Sequence, residues 1–196
     1  MPNHHAHHGG FSGFRGYLIG FSFLFGRDQV GGWAAGLAGV QPGDAVVDIG
    51  CGPGSAARLA AKRGATVLAV DPAPVMLRLG RLFTRGRRVT YRAGTAEALP
   101  VEDGAVTVAW SLSTVHHWAD IDGGLDEVQR VLQPGGRFVA IEANTSAGAS
   151  GHRGHGWTEG QAERFAELCR DHGFVNVRIE RGTADKRARI AVVAER

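Results

Sequence analysis

A chain of 196 residues is long enough for one domain with a single core. With 43% hydrophobic and 21% charged residues it has the composition of a soluble globular protein, not of a low-complexity or membrane-spanning one. The net charge is +3 and the arginines are scattered; the one cluster, Arg85, Arg87 and Arg88 with Arg92 beyond, reads as a solvated loop and not a nucleic-acid patch. Its two cysteines, Cys51 and Cys169, form neither a disulfide framework nor a C-x-x-C metal pair, and they fit a reducing cytoplasm.

Residues 1–10 carry His4, His5, His7 and His8 and read as a disordered His-rich terminus. Residues 11–39 repeat Phe14, Leu18, Phe21, Leu24 and Phe25 at helical spacing, with glycines between. This pattern predicts one or two short amphipathic helices ahead of a main domain at 40–196. Three roles are open to the segment: packing, a lid over a substrate pocket, or weak contact with a membrane surface. The stretch from Phe11 to Phe25 is interrupted by Arg15 and is shorter than the ~20 residues a membrane span needs, so no transmembrane segment is expected.

Gln41 to Asp44 is a turn, and an apolar strand over Ala45 to Ile49 follows it. Asp48 lies in that strand, and Gly50, Gly52 and Gly54 come next, with Cys51 and Pro53 between them. Glycines in this place allow positive φ and let a ligand press against bare backbone at the start of a helix. That helix is expected over Ser55 to Arg63, ended by Gly64. A second strand, Thr66 to Val70, ends at Asp71-Pro72, where an acid is placed to accept hydrogen bonds from a ribose diol or to cap the next helix. That helix is predicted from Ala73 to Phe83 with Met76, Leu77 and Leu79 inward. A short strand at Val89 to Arg92 leads into GTAEALP, and a fourth strand at Val106 to Trp110 leads into Ser111, Ser113, Thr114, His116, His117 and Trp118. In an open parallel sheet, ligands bind beyond the carboxyl ends of the strands where strand order reverses, so this polar string should line a pocket. Either histidine there can act as a general base.

The Asp122 to Leu132 helix carries Leu125, Val128, Val131 and Leu132 on one face, and VLQPGGRFVAIE supplies its end, a Pro-Gly-Gly turn and a fifth strand. Asn144 to Gly156 is a Gly/Ser/His loop in which His152 and His155 read as solvated. A capping box of Thr158 and Gln161 opens a helix reaching about His172. The last two strands, Phe174 to Glu180 and Arg189 to Ala194, are joined too closely for a crossover and must pair antiparallel.

DIGCGPG resembles motif I of class I S-adenosylmethionine-dependent methyltransferases. GTAEALP is similar to the family's G-D-A-E-x-L-P-F segment, with Thr95 where Asp is usual. The paired histidines look like the L-H-H segment of small-molecule methyltransferases (the type 11 and type 25 domains), and VLQPGGR resembles V-L-K-P-G-G-x. Together these cover the chain from about Gln41 onward. The resemblance implies an α/β fold: a seven-stranded doubly wound sheet in a three-layer sandwich, strand seven antiparallel. It implies S-adenosylmethionine as methyl donor, S-adenosylhomocysteine as product and a small organic acceptor, with no nucleic-acid partner. It implies that Gly50, Cys51, Gly52 and Gly54 meet the cofactor through backbone, and that Asp48 holds its amino end. Asp71 with Pro72 would take the ribose, Thr95, Ala96 and Glu97 would border the adenine, and Ser111 the methionine portion. His116 and His117 are the candidate bases, and no metal is implied. Two other readings remain open on the residues alone: a cofactor-binding module without methyl transfer, and a nucleotide-dependent oxidoreductase.

Overall fold

The computed structural model describes residues 28–86, 88–146 and 156–196. The His-rich terminus, Phe14 to Phe25, Arg87, His152 and His155 lie outside the described residues.

The elements alternate in the order β/α chemistry predicts. Helix α1 spans Asp28–Leu37, and β1 (Ala45–Ile49) is followed by α2 (Ser55–Lys62). Strand β2 (Thr66–Asp71) is followed by α3 (Pro74–Phe83), and β3 spans Val89–Ala93. Strand β4 (Val106–Leu112) runs into a short 3-10 turn at Val115–His117 and then α4 (Ile121–Val131). Strand β5 spans Leu132–Ala143, α5 Glu159–Asp171, β6 Val175–Ala184 and β7 Arg187–Glu195. The seven strands form one sheet ordered β3-β2-β1-β4-β5-β7-β6. The strands from β3 to β5 are parallel, and β7 is antiparallel to both β5 and β6.

Near-continuous apolar runs make β1 and β4 central, because helices cover both sheet faces. Alternation then sorts the side chains into two layers. Val47, Ile49, Ala109, Phe138 and Val192 meet Leu125 and Val128 of α4 and Phe165 and Cys169 of α5. Val46, Val67, Val108, Ile141 and Val193 meet Val30 and Ala34 of α1, Ala57 and Ala60 of α2, and Leu77 of α3. Helix α1 thus packs as part of the core. A Cβ on Gly31 would come within 3.0 Å of the Ala56 backbone, so the small residues of α1 and α2 allow close contact.

The larger differences from the sequence reading each have a local reason. Strand β4 extends two residues to Leu112, so Ser111 is a strand residue. Strand β5 starts at Leu132 with the Pro-Gly-Gly turn as an irregularity inside it, where the register slips between Val106 and Val108 of its partner. The β6–β7 connection is a two-residue hairpin: Ala184 pairs with Arg187, and Asp185 and Lys186 both adopt positive φ, 52° and 60°. That is the turn whose twist suits flanking strands, and Asp tolerates it better than Lys. The capping box forms as read: Thr158 Oγ accepts from Gln161 N, and Gln161 Oε1 accepts from Thr158 N.

Two stability outcomes follow from these contacts. Lys186→Gly relieves the left-handed strain and should raise the melting temperature by about 2–4 °C in calorimetry. His172 closes α5 onto α4, with Nδ1 2.7 Å from Asp126 and Nε2 3.0 Å from Asp122. Burial pulls its pKa down, but the hydrogen bonds to Asp122 and Asp126 outweigh it and hold the pKa above the usual 6.5. The clamp is therefore fully present below about pH 6.5 and lost as pH rises through the higher folded value. Relative to His172→Gln, the wild-type protein should lose about 2–4 °C of melting temperature between pH 6 and pH 9.

Candidate cofactor and acceptor site

The glycine turn is tied to the end of β2 by backbone and carboxylate together. The N–H groups of Gly50 and Cys51 both reach the carbonyl of Val70, at 2.9 and 3.0 Å. Asp71 uses both oxygens: Oδ2 accepts from Gly52 N and Oδ1 from Ala73 N, each at 2.8 Å. The cap reading and the binding reading of this acid are thus compatible, since each oxygen keeps a second lone pair. Gly50 and Gly54 are glycine for packing: a Cβ would come within 2.7 Å of Thr114 in one and 2.1 Å of the Tyr91 hydroxyl in the other. Gly52 differs. It adopts φ 54° and its missing Cβ would meet nothing within 4 Å, so the turn presents bare backbone to an open side.

Asp48 lies on the α2 side of β1, opposite Trp110 of β4. It is 2% exposed, and its Oδ2 has no hydrogen-bond partner. Burial pushes its pKa up to about 7, against the opposing influence of the Trp110 indole and the Ala57 backbone; the charge of nearby Asp71 adds to the rise. Burial also raises Asp71, with its two backbone hydrogen bonds opposing. Cys51 is likewise raised well above its usual range, first by burial and then by the two acids, so it is a packing thiol and not a nucleophile.

At the opposite end of the sheet, Thr107 and Asp44 lock the amino ends of the strands. Thr107 donates to Asp44 at 2.6 Å, and Arg137 pairs with the same carboxylate at 2.5 Å. A shallow cleft of about 440 Å³ opens there, at the sheet end remote from the glycine turn, and its Asp44, Thr107 and Arg137 side chains bond to one another.

The GTAEALP loop brings Ala96, buried, and Glu97, half-buried, to the β3–β4 side. Glu97 Oε1 accepts from Ala119 N at 2.7 Å and Asp120 N at 3.2 Å, so the acid also holds the loop before α4. Glu127 and Arg130, one turn apart on α4, clamp this loop through Leu99 N, Leu99 O and Val101 O. Thr95 is exposed. Ser111 is fully buried; its Oγ lies 2.6 Å from Thr114 Oγ1, which donates to the Ile49 carbonyl at 3.0 Å. The Ser111 hydroxyl therefore serves this latch.

Beyond β4, His116 and His117 stand with ring centroids 4.0 Å apart. The Nδ1 of His116 is 2.9 Å from Oε2 of Glu142, a fully buried acid near the end of β5. Arg189 of β7, 7% exposed, donates to Ser113 Oγ at 3.2 Å. The structure thus brings Asp48, the three glycines and Asp71 to one rim, with Ala96 and Glu97 on one flank and the histidines on the other. Sequence reasoning named Thr114 in the pocket-lining string without its partners, and missed Glu142, Arg189, Glu127 and Arg130. The E-x-x-R spacing of the last two was a readable signal; Glu142 and Arg189 sit inside apolar strand patterns and gave none.

An open doubly wound sheet with acids at the ends of its first two strands and bare backbone between them is the architecture of a class I methyltransferase. A family model described as a methyltransferase domain matches residues 47–140. The chain is 33% identical over 136 residues to malonyl-[acyl-carrier protein] O-methyltransferase of Serratia marcescens, covering 69% of this chain and 52% of that protein. It is 37% identical over 112 residues to the ubiquinone/menaquinone biosynthesis C-methyltransferase UbiE of Rubrivivax gelatinosus, covering 57% and 44%. The chain spans about half the length of these curated relatives. Among solved structures, a chain of the complex between the Haloferax volcanii Trm112 methyltransferase activator and the putative methyltransferase superposes with a TM-score of 0.74 at 22% identity, covering 90% of this chain and 93% of that one. The domain match and the methyltransferase relatives support the class I S-adenosylmethionine-dependent methyltransferase family for this chain. S-adenosylmethionine is the cofactor that this family implies. The orphaned Asp48 oxygen and the open face over Gly52 fit such a ligand, which carries positive charge and needs close backbone approach.

Because the folded pKa of Asp48 lies above the ordinary 3.8, the native state holds a proton that the unfolded chain releases. Stability of the ligand-free protein should therefore fall as pH rises from about 4 to about 7 and level off above. Asp48→Asn should flatten that fall and melt about 3–6 °C above wild type at pH 8, as differential scanning calorimetry would read.

Proposed function

We propose that this protein transfers a methyl group from S-adenosylmethionine to a small organic acceptor. The observation that carries the reading is the pair of buried carboxylates, Asp48 and Asp71, flanking the bare turn at Gly52. A desolvated acid without a partner favours a cationic ligand, which supplies the charge that water no longer screens. Asp48 would hold the amino end of the cofactor. Asp71, with Pro72 after it, would accept from the ribose hydroxyls with its remaining lone pairs. The N–H of Ala96, with Thr95 and Glu97, would border the adenine, and the Ser111–Thr114 latch would back the methionine portion. When bound, the cofactor supplies an electrophilic methyl on a sulfonium whose C–S pair returns to sulfur.

The chain's part is chiefly positioning. Alignment of two reactants can remove ~7–11 kcal/mol of barrier, whereas a general base adds ~10²–10⁴-fold. His116 or His117 would take the acceptor's proton where that proton must leave. The relatives' names span oxygen and carbon methylation, so both atoms belong in any acceptor search. Apolar acceptors suit the aromatic character of Phe11 to Phe25. No described helix is long and apolar enough to cross a membrane. Two free cysteines accord with a cytoplasmic setting.

The test is calorimetry with S-adenosylmethionine and S-adenosylhomocysteine, followed by product release over carboxylic acids, phenols, amines and acidic carbon compounds. Binding of both with turnover on one class is the expected result. Asp71→Asn should weaken binding by about 10–100-fold while the fold survives, since an amide still accepts from one N–H. Heat from neither ligand on folded protein would refute the reading. Binding without turnover would leave a cofactor-binding module.

A further inference from the structure

We propose that Glu142 positions His116, fixing its imidazole so that Nε2 is the proton acceptor facing the methyl acceptor. The proposal rests on reading this rim as a methyl-transfer site.

Glu142 is 0% exposed, and a carboxylate at that depth is costly unless hydrogen-bonded. The bonds it accepts come from one residue. Oε2 lies 2.9 Å from the Nδ1 of His116, and Oε1 accepts from the His116 backbone N–H at 3.4 Å. Neither oxygen is used to tie strands together. Arg189 of β7 adds positive charge on the far side, where the charge of Glu142 in turn supports the buried guanidinium. The acid is thus held as a clasp on a single imidazole.

An ionised carboxylate only accepts, so the hydrogen must sit on Nδ1 and the ring lone pair on Nε2. That tautomer is the reverse of the one an isolated histidine side chain prefers. A base held by a third group is the arrangement by which enzymes aim a proton acceptor. The carboxylate also chooses between neighbours: it engages His116, leaving His117 to stack beside it with rings tilted 48°. His116 follows Thr114 by two residues, and Thr114 is anchored to the Ile49 carbonyl under the glycine turn. The imidazole is therefore referenced to the same turn that the cofactor reading uses.

Nε2 of His116 receives the proton that the acceptor's oxygen, nitrogen or carbon gives up as it gains the methyl group. One positive charge disappears from sulfur and one arises on the imidazolium, which Glu142 neutralises across Nδ1–H. Water then takes the proton and restores the ring. Atoms and charge balance without any further reactant.

The test uses the full chain with uniform ¹⁵N label. A long-range ¹H–¹⁵N spectrum, taken where the ring is neutral, shows which nitrogen of His116 carries hydrogen. The expected state is Nδ1–H. Diethyl pyrocarbonate reacts through the lone-pair nitrogen, and peptide mass analysis follows it at each histidine. In Glu142→Gln, modification of His116 should slow at least about fivefold, with His117 and the heat of S-adenosylmethionine binding within about twofold of wild type. On whichever acceptor class turns over, kcat should fall about 10–100-fold with KM unchanged, a split that a purely structural acid would not give. An Nε2–H form in wild type, or an unchanged His116 rate in folded Glu142→Gln, overturns the proposal. The wild-type spectrum decides even if the variant fails to fold. Loss of cofactor binding would instead register in the calorimetry, so the two failures are separable.

Discussion

The carboxylate of Asp71 joins two turns that would otherwise be independent. One oxygen holds Gly52 in the loop after β1, and the other holds Ala73 at the start of α3. With Gly50 and Cys51 both bonded to the Val70 carbonyl, the carboxyl ends of β1 and β2 become one rigid rim. A backbone so fixed needs no reorganisation when a ligand arrives. The same bonds draw an acid into a site only 8% exposed, next to a second acid that is deeper still. Two carboxylates desolvated side by side are unfavourable in the free protein, and that tension is what selects a positively charged guest.

The opposite flank is shaped by strand direction. Because β7 runs antiparallel to β5, its first residues arrive beside the last residues of β5. Glu142 lies opposite Ile190, and Ala143 opposite Arg189. An all-parallel sheet would place the end of a strand there. The reversal delivers a buried arginine to the rim just where β4 turns away at Ser113, a non-glycine residue at φ 60°. Backbone held in that region for want of any glycine is a recognised mark of a functional edge.

The fold was readable because its signals are periodic. Apolar runs of strand length, helices bounded by Gly64 and by the Thr158 capping box, and the glycine array each report a local physical requirement, and each element stands where those requirements put it. The resemblance supplied the role of Asp48, whereas the place of Asp71 at a strand end already pointed to a ribose diol or a helix cap. What stayed hidden depends on contacts between distant residues. Glu142 sits in an apolar strand and carries no signal of its own until the turn after β4 places His116 beside it. Arg189 reads as a basic residue at a strand start until β6 and β7 close through a two-residue turn. Ser111 reads as the first residue after a strand; the longer β4 makes it a strand residue whose hydroxyl lies against Thr114. A chain pattern records which face a residue takes, but not which partner waits there.

Helix α1 carries a consequence for how this chain is divided. The family model begins at residue 47, after α1 has ended. Yet Val30, Ala34, Ala35 and Ala38 are between 0 and 2% exposed, and Gly31 meets Ala56 at a spacing that an added Cβ would crowd. Gln29 reaches across to the Asp185 backbone, and the ring of Trp33 lies against Gly182. The helix therefore bridges the first βα unit and the last hairpin, and shares one layer of the sandwich with α2 and α3. The inherited catalytic module and the cooperative unit that melts are different lengths of chain: trimming to the former would strip the roof from the latter.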